Sequence, residues 1–216
     1  MAAPRITRRR LLEGSTAVSF ALVLGSCDED PDRTAQTSPG PRTSADDEAQ
    51  GTRLTPTPAC DDGDEPTPSQ TEGPFYSPDT PRRRSLLEDG VEGERLVISG
   101  LVVDTRCRPI SRALLDFWQA DASGEYDTEG YRLRGHQFTN GRGRYRLETI
   151  VPALYSGRTR HVHVKAQRRG GDVLTTQLYF PGEPGNRTDP IFDAALLMDV
   201  GRGGTGRRAT FRFVLA

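Results

Sequence analysis

The chain has 216 residues, of which 29 are basic and 30 acidic, for a net charge of −1, with three cysteines and three histidines. That length fits one ordinary domain with flanking segments and excludes two full domains once the flanks are set aside. The near-even charge gives no sign of a nucleic-acid or acidic-substrate partner, although Lys165 is the only lysine among many arginines. Residues 1–27 run from a basic stretch, Arg5 to Arg10, through an apolar stretch at 17–24 to the small-residue end Gly25-Ser26-Cys27. This is the layout of an export signal, too short in its apolar part to cross a bilayer as a helix.

Two motifs refine that reading. Thr7-Arg8-Arg9-Arg10-Leu11-Leu12 resembles a twin-arginine signal, the alternative being an arginine-rich secretory signal. Leu24-Gly25-Ser26-Cys27 resembles a bacterial lipobox. Lipidation at Cys27 would anchor an exported protein to the outer face of the bacterial cytoplasmic membrane; cleavage nearby with secretion is the alternative. Residues 28–66 hold eleven acidic side chains against Arg33, Arg42 and Arg53, many Pro, Thr and Ser, and almost nothing apolar. Such a segment cannot bury enough surface to fold and is expected to be a disordered, extended tether.

Order is expected over 67–216. Residues 96–103, 113–120, 145–150, 161–166, 173–180 and 210–215 are short, rich in β-branched and aromatic side chains, and separated by Gly, Pro, Asp and Asn. No segment with helical period competes with them. The expected fold is all-β, an antiparallel β-sandwich with long active-site loops, in which Phe211, Phe213 and Leu215 alternate toward a core. Cys60 and Cys107 remain after processing, and in an exported protein an even pair of thiols favours a disulfide, with two free cysteines as the alternative.

The most informative stretch is Arg158-Thr159-Arg160-His161-Val162-His163-Val164. Residues two apart on a strand share a face, so His161 and His163 can offer two imidazoles to one ion while Val162 and Val164 pack behind. Two half-exposed histidines without a role is the other reading. Tyr155 lies in a Pro/Gly-bounded connection just upstream, and Tyr126 in Ser123-Gly124-Glu125-Tyr126-Asp127 after an expected strand. A tyrosine becomes a ligand at neutral pH only beside a strongly acidic ion, because free phenol ionises near pH 10. Phenolates with imidazoles therefore favour iron(III) over zinc. His136 is expected in a loop, at the surface or a pocket rim.

Five motifs in order resemble the intradiol ring-cleavage dioxygenases, the family of catechol 1,2-dioxygenase and protocatechuate 3,4-dioxygenase. They are Glu72-Gly73-Pro74-Phe75-Tyr76; Trp118-Gln119-Ala120-Asp121 with Gly124-Glu125-Tyr126; Gly143-Arg144-Tyr145 with Thr149-Ile150-Val151-Pro152; Gly157-Arg158 with His161-Val162-His163; and Leu174-Thr175-Thr176-Gln177-Leu178-Tyr179-Phe180. The resemblance implies a mononuclear non-haem Fe(III) held by Tyr126, Tyr155, His161 and His163, with Arg158 and Gln177 as further active-site residues and Tyr155 giving way to substrate. It implies cleavage of a catechol-type diol between its hydroxylated carbons, with both atoms of O2 entering a cis,cis-muconate-type diacid. The expected partners are the diol and O2, no nucleic acid, the membrane through a lipid anchor only, and a second copy of the chain if a homodimer forms. The chain departs from the family at Thr159-Arg160, where Pro-Ala is common, and at Ala153-Leu154, where Gly usually follows the proline. It also lacks the long helical dimerisation segment of the catechol enzymes, which suggests a compact exported branch. Two alternatives stand beside this reading: a metal-free β-sandwich binding module for aromatic or cell-surface ligands, and a zinc hydrolase using His161, His163 and either Asp127 or Asp189.

Overall fold

A computed structural model describes residues 65–155 and 157–216. Cys27, Cys60, the 1–27 signal and nearly all of the 28–66 tether lie outside the described residues. Eight strands arise where side chains alternate between faces. In β1 (Arg95–Asp104) Leu96, Ile98 and Val102 are fully buried, whereas Val97, Ser99 and Leu101 between them are partly exposed. β8 (Gly206–Leu215) follows the same rule through Ala209, Phe213 and Leu215.

The strands form two four-stranded sheets. One has the order β4 (Arg144–Ile150), β1, β8, β7 (Asp199–Gly203); the other has β3 (Arg134–Phe138), β2 (Leu114–Trp118), β5 (His161–Gln167), β6 (Val173–Tyr179). Their inner faces meet in one core, with Leu96, Ile98, Leu147 and Phe213 from the first sheet against Phe117, Val162, Val164 and Leu178 from the second. Burying each large apolar side chain stabilises the fold by roughly 1.5–3 kcal/mol. Among the described residues the only helical elements are 3-10 turns at Pro184–Arg187 and Ala194–Leu196.

All six expected strands form, within an all-β sandwich. Three features differ from the sequence reading. β1 and β8 pair in parallel, Ile98 opposite Ala209 and Val102 opposite Phe213, while every other ladder between strands is antiparallel. β7 is an additional strand, a glycine-rich edge joined to β8 by a tight Gly203-to-Gly206 hairpin. β3 is the other addition, and it places His136 on a strand rather than in a loop, paired with Asp116. Its Gly135 gives the reason β3 does not read as a strand: a side chain there would lie 2.8 Å from the Arg83 side chain and 3.0 Å from Leu86, so the glycine lets the 81–86 segment pass. Cys107 occupies the turn after β1 with a φ of 58°, its amide donating to Asp104 O.

β5 is covered on both sides. Val162, Val164 and Ala166 face the sandwich core, while His161 and His163 face outward and are still only 4% and 3% exposed. Loops bury that outer face, and there the candidate site lies.

Candidate metal centre

The outer face of the β3-β2-β5-β6 sheet is set by register. Across the antiparallel ladders His163 stands opposite Trp118 on β2 and Gln177 on β6, and His161 stands opposite Tyr179. The Trp118 indole stacks on the His163 ring at 4.8 Å between centroids, with 9° between the planes. The two imidazoles are held side by side, their Nε2 atoms 3.1 Å apart. His161 Nδ1 donates to the Thr159 carbonyl at 2.6 Å. A carbonyl can only accept, so the ring proton sits on Nδ1 and the Nε2 lone pair points into the site.

Tyr126 comes from the loop after β2. Asp121 shapes that loop: its Oδ1 accepts from Ser123 N at 2.8 Å, Ser123 Oγ at 2.6 Å and Glu125 N at 3.0 Å. Gly124, at φ +91°, lies against Leu154, where a side chain would meet the carbonyl oxygen at 2.5 Å. Ala153 N also donates to Asp121 O, so the loops carrying Tyr126 and Tyr155 are joined directly. The outcome is a Tyr126 hydroxyl 3.2 Å from His161 Nε2, with the Tyr126 and Tyr155 rings edge to face at 5.6 Å.

A strap from the N-terminal segment closes the site. Gln70 N donates to Thr175 O on β6. Gly73, at φ +73°, passes His163 so closely that a side chain there would touch the ring at 3.5 Å. Phe75 then stacks on Tyr126 at 4.4 Å and 10°, and meets Tyr155 edge-on at 5.2 Å. Buried Arg134 on β3 ties strap and loop together by donating to the Phe75 and Asp127 carbonyls.

Arg158 and Gln177 close the other side. Arg158 Nη2 donates to Gln177 Oε1 at 2.6 Å, and Gln177 Nε2 donates to Thr71 O at 3.0 Å. Arg158 Nε donates to Asp189 Oδ2 at 2.9 Å. The sequence reading thus has Tyr126, Tyr155, His161, His163, Arg158 and Gln177 in one neighbourhood, and the structure brings all six together. It does not support the zinc alternative. Asp189 is committed to Arg158 and the Thr159 amide, and Asp127 to the amides of Glu129, Gly130 and Arg132. Among the described residues no third His, Cys, Asp or Glu joins the histidine pair. Phe75, Trp118 and Arg134 enter the site without having been assigned roles from sequence; a strap and a stack are visible only once the sheet register is known.

Burial sets the electrostatics. It pushes Tyr126 well above the usual phenol range, the charges of Arg158 and Arg134 opposing it only in part. It pushes His161 down to about 4 and holds His163 well below the ordinary imidazole value, His161 and Arg158 adding to that effect. Without metal the centre is therefore a neutral phenol and two neutral imidazoles with converging donor atoms. The buried His163 Nδ1 has no hydrogen-bond partner among the described residues. Two imidazole nitrogens and a phenol oxygen about 3 Å apart, with one lone pair fixed inward, fit a hard trivalent cation that can ionise the phenol.

The histidine burial has a measurable consequence. In the unfolded chain His161 takes a proton below about pH 6.5. The folded chain resists until about pH 4. Stability is therefore full above pH 6.5 and falls as pH drops through that window, by roughly 3 kcal/mol from this residue. Urea unfolding of the metal-free protein at pH 7 and pH 4, compared with His161→Gln to remove the carboxylate background, reads this directly. Equal pH dependence in both proteins would mean that the folded ring accepts a proton freely.

A family model described as "Dioxygenase" matches residues 71–205. Among solved structures, the dioxygenase domain of a dioxygenase carbohydrate-binding protein fusion from Streptomyces sp. SirexAA-E is 58% identical, with a TM-score of 0.69, covering 70% of this chain and 98% of that one. The 3-chlorocatechol 1,2-dioxygenase of Rhodococcus opacus 1CP is 31% identical, with a TM-score of 0.63, covering 68% and 71%. The protocatechuate 3,4-dioxygenase beta chain of Burkholderia cepacia is 36% identical over 46% of this chain and 50% of its own length, and the hydroxyquinol 1,2-dioxygenase of Rhizobium sp. is 28% identical over 63% and 56%. The chain spans about half the length of these curated relatives. With the family model covering most of the sandwich and the 58% identical domain matched almost end to end, the chain belongs to the intradiol ring-cleavage dioxygenase family.

Proposed function

We propose that the chain is a mononuclear non-haem iron(III) dioxygenase that cleaves a catechol-type aromatic diol between its two hydroxylated carbons, giving a cis,cis-muconate-type diacid that contains both atoms of O2. The observation that carries this reading is the convergence of Tyr126 Oη, His161 Nε2 and His163 Nε2, with Tyr155 beside them. Iron(III), when bound, supplies Lewis acidity and an electron sink for the ionised diol. His161 and His163 would hold the ion as neutral imidazoles, and Tyr126 would give up its phenolic proton to join them. Tyr155, whose ring stands edge-on to Tyr126, would be the group suited to take a proton from the incoming diol. Arg158, whose guanidinium reaches Gln177 and Tyr179, stabilises negative charge that develops on the ring oxygens. Phe75, Trp118 and the 71–76 strap keep water from the reacting carbons.

The address completes the proposal. An export signal, lipidation at Cys27 and a Cys60–Cys107 disulfide would place the domain outside the cytoplasmic membrane, where it would act in the breakdown of aromatic compounds. The 58% identical relative, from a cellulolytic bacterium and fused to a carbohydrate-binding protein, fits an extracellular diol. Secretion without an anchor and assembly as a homodimer are compatible with the same site.

The test is a visible absorption spectrum of the purified protein, with iron quantified, before and after catechol is added without oxygen. The expected result is a broad band from tyrosinate-to-iron charge transfer that shifts when the diol binds. A protein that stays colourless after reconstitution with iron(III) would overturn the enzyme and leave the binding module.

A further inference from the structure

The three residues that enter the histidine strand, Arg158, Thr159 and Arg160, all grip the 181–190 loop. Thr159 Oγ1 donates to Asn186 Oδ1 at 2.6 Å, and Gly185 packs so tightly on Thr159 that a side chain there would lie 3.1 Å from its Cβ. Arg160 Nε donates to Glu183 Oε1 at 2.8 Å, while another of its nitrogens reaches the Pro152 carbonyl in the Tyr155 loop. At the centre of this grip is Asp189, whose side chain is 1% exposed. One oxygen, Oδ2, accepts from Arg158 Nε and from the Thr159 amide, each at 2.9 Å; the other accepts from Ile191 N at 3.1 Å. A proline at 159 would have no N–H, so this one of the three bonds to the carboxylate requires a residue with a free amide there, as Thr159 supplies.

We propose that Asp189 is a positioning residue that fixes the Arg158 guanidinium, and that the Thr159 amide fixes Asp189. An unrestrained arginine samples many rotamers, and a guanidinium displaced by about 1 Å can cost on the order of 100-fold in rate. Here Nε is pinned by Asp189, which leaves the Nη2 end at Gln177 Oε1 and 3.4 Å from the Tyr179 hydroxyl. Asp189 makes no hydrogen bond to any of the four candidate metal ligands, and its direct side-chain link to the site is the Arg158 guanidinium. The inference rests on the dioxygenase reading for its effect on rate, but its structural half does not.

The experiment uses the full chain in two states. In the metal-free protein, hydrogen exchange of the Arg158 Nε–H is followed by NMR, the resonance being identified by its absence in Arg158→Lys. Asp189→Asn and Asp189→Ala are each expected to speed that exchange at least tenfold; Asn preserves the shape, so a folded variant is available even where Ala disturbs the loop. In the iron-loaded protein the same substitutions are expected to lower kcat about tenfold or more with iron content and visible band unchanged, and to add nothing in an Arg158→Lys background. Unchanged Nε–H protection, or losses that remain additive in the Arg158→Lys background, would overturn the proposal. If the iron-loaded wild type turns over no diol at all, the dioxygenase reading fails while the exchange measurement still decides whether Asp189 holds Arg158.

Discussion

Replacing His161 with alanine is expected to lower iron occupancy by at least about 100-fold at fixed free iron, to remove the visible band, and to take turnover below detection. Its Nε2 stands between the other converging donors, 3.2 Å from the Tyr126 hydroxyl and 3.1 Å from His163 Nε2. Without it, Tyr126 and His163 are left without the atom that joins them. Burial already holds the Tyr126 phenol protonated, so a weakened centre could not draw off the proton that makes a good ligand. Removing a buried neutral imidazole costs packing but leaves no unpaired charge, and the protein is expected to stay folded. Iron analysis beside a circular dichroism spectrum separates the two effects; full iron content in a folded His161→Ala protein would exclude the ligand set.

Arg158→Ala is expected to do the opposite: iron and colour stay, and kcat falls on the order of 100- to 1000-fold, the usual cost of losing a donor aimed at developing negative charge. The guanidinium hydrogen-bonds to Gln177, Tyr179 and Asp189 and, among the described residues, to neither histidine. Its loss leaves the Asp189 carboxylate buried, though still hydrogen-bonded by the Thr159 and Ile191 amides, which limits the penalty. Arg158→Lys keeps the charge but not the fork that reaches Asp189 and Gln177 at once, and should recover only part of the rate. Steady-state kinetics with any diol the wild type accepts decides it, and unchanged kcat in Arg158→Ala would remove this residue from the chemistry.

Much of this arrangement is legible in the sequence, for identifiable reasons. Period-two alternation marks β1, β5 and β8, and it alone puts His161 and His163 on one face with Val162 and Val164 on the other. The resemblance brings in Tyr126 and Tyr155, which no periodicity marks, since both lie in loops. β3 escapes because Gly135 makes room for another segment rather than packing a side chain, and β7 because an edge strand needs little apolar content. The parallel pairing of β1 with β8 joins residues about 110 apart, which local pattern does not encode. The same limit hides Asp189: its partner Arg158 lies 31 positions upstream, and read alone it was as good a metal ligand as a clamp.

That parallel pair also has a consequence in time. β1 is an inner strand, with β4 on one side and β8 on the other, and Thr67 at the start of the described domain hydrogen-bonds to Val214 near its end. While a ribosome is still making residues 151–205, with β4 already made, β1 exposes one unpaired edge and the inner side chains of its sheet lack Phe213 and Leu215. The sandwich can close only once the final strand has emerged, so the whole domain must be kept from aggregating until synthesis of β8 is complete, and folding begins with its slowest, most non-local pairing still to be made.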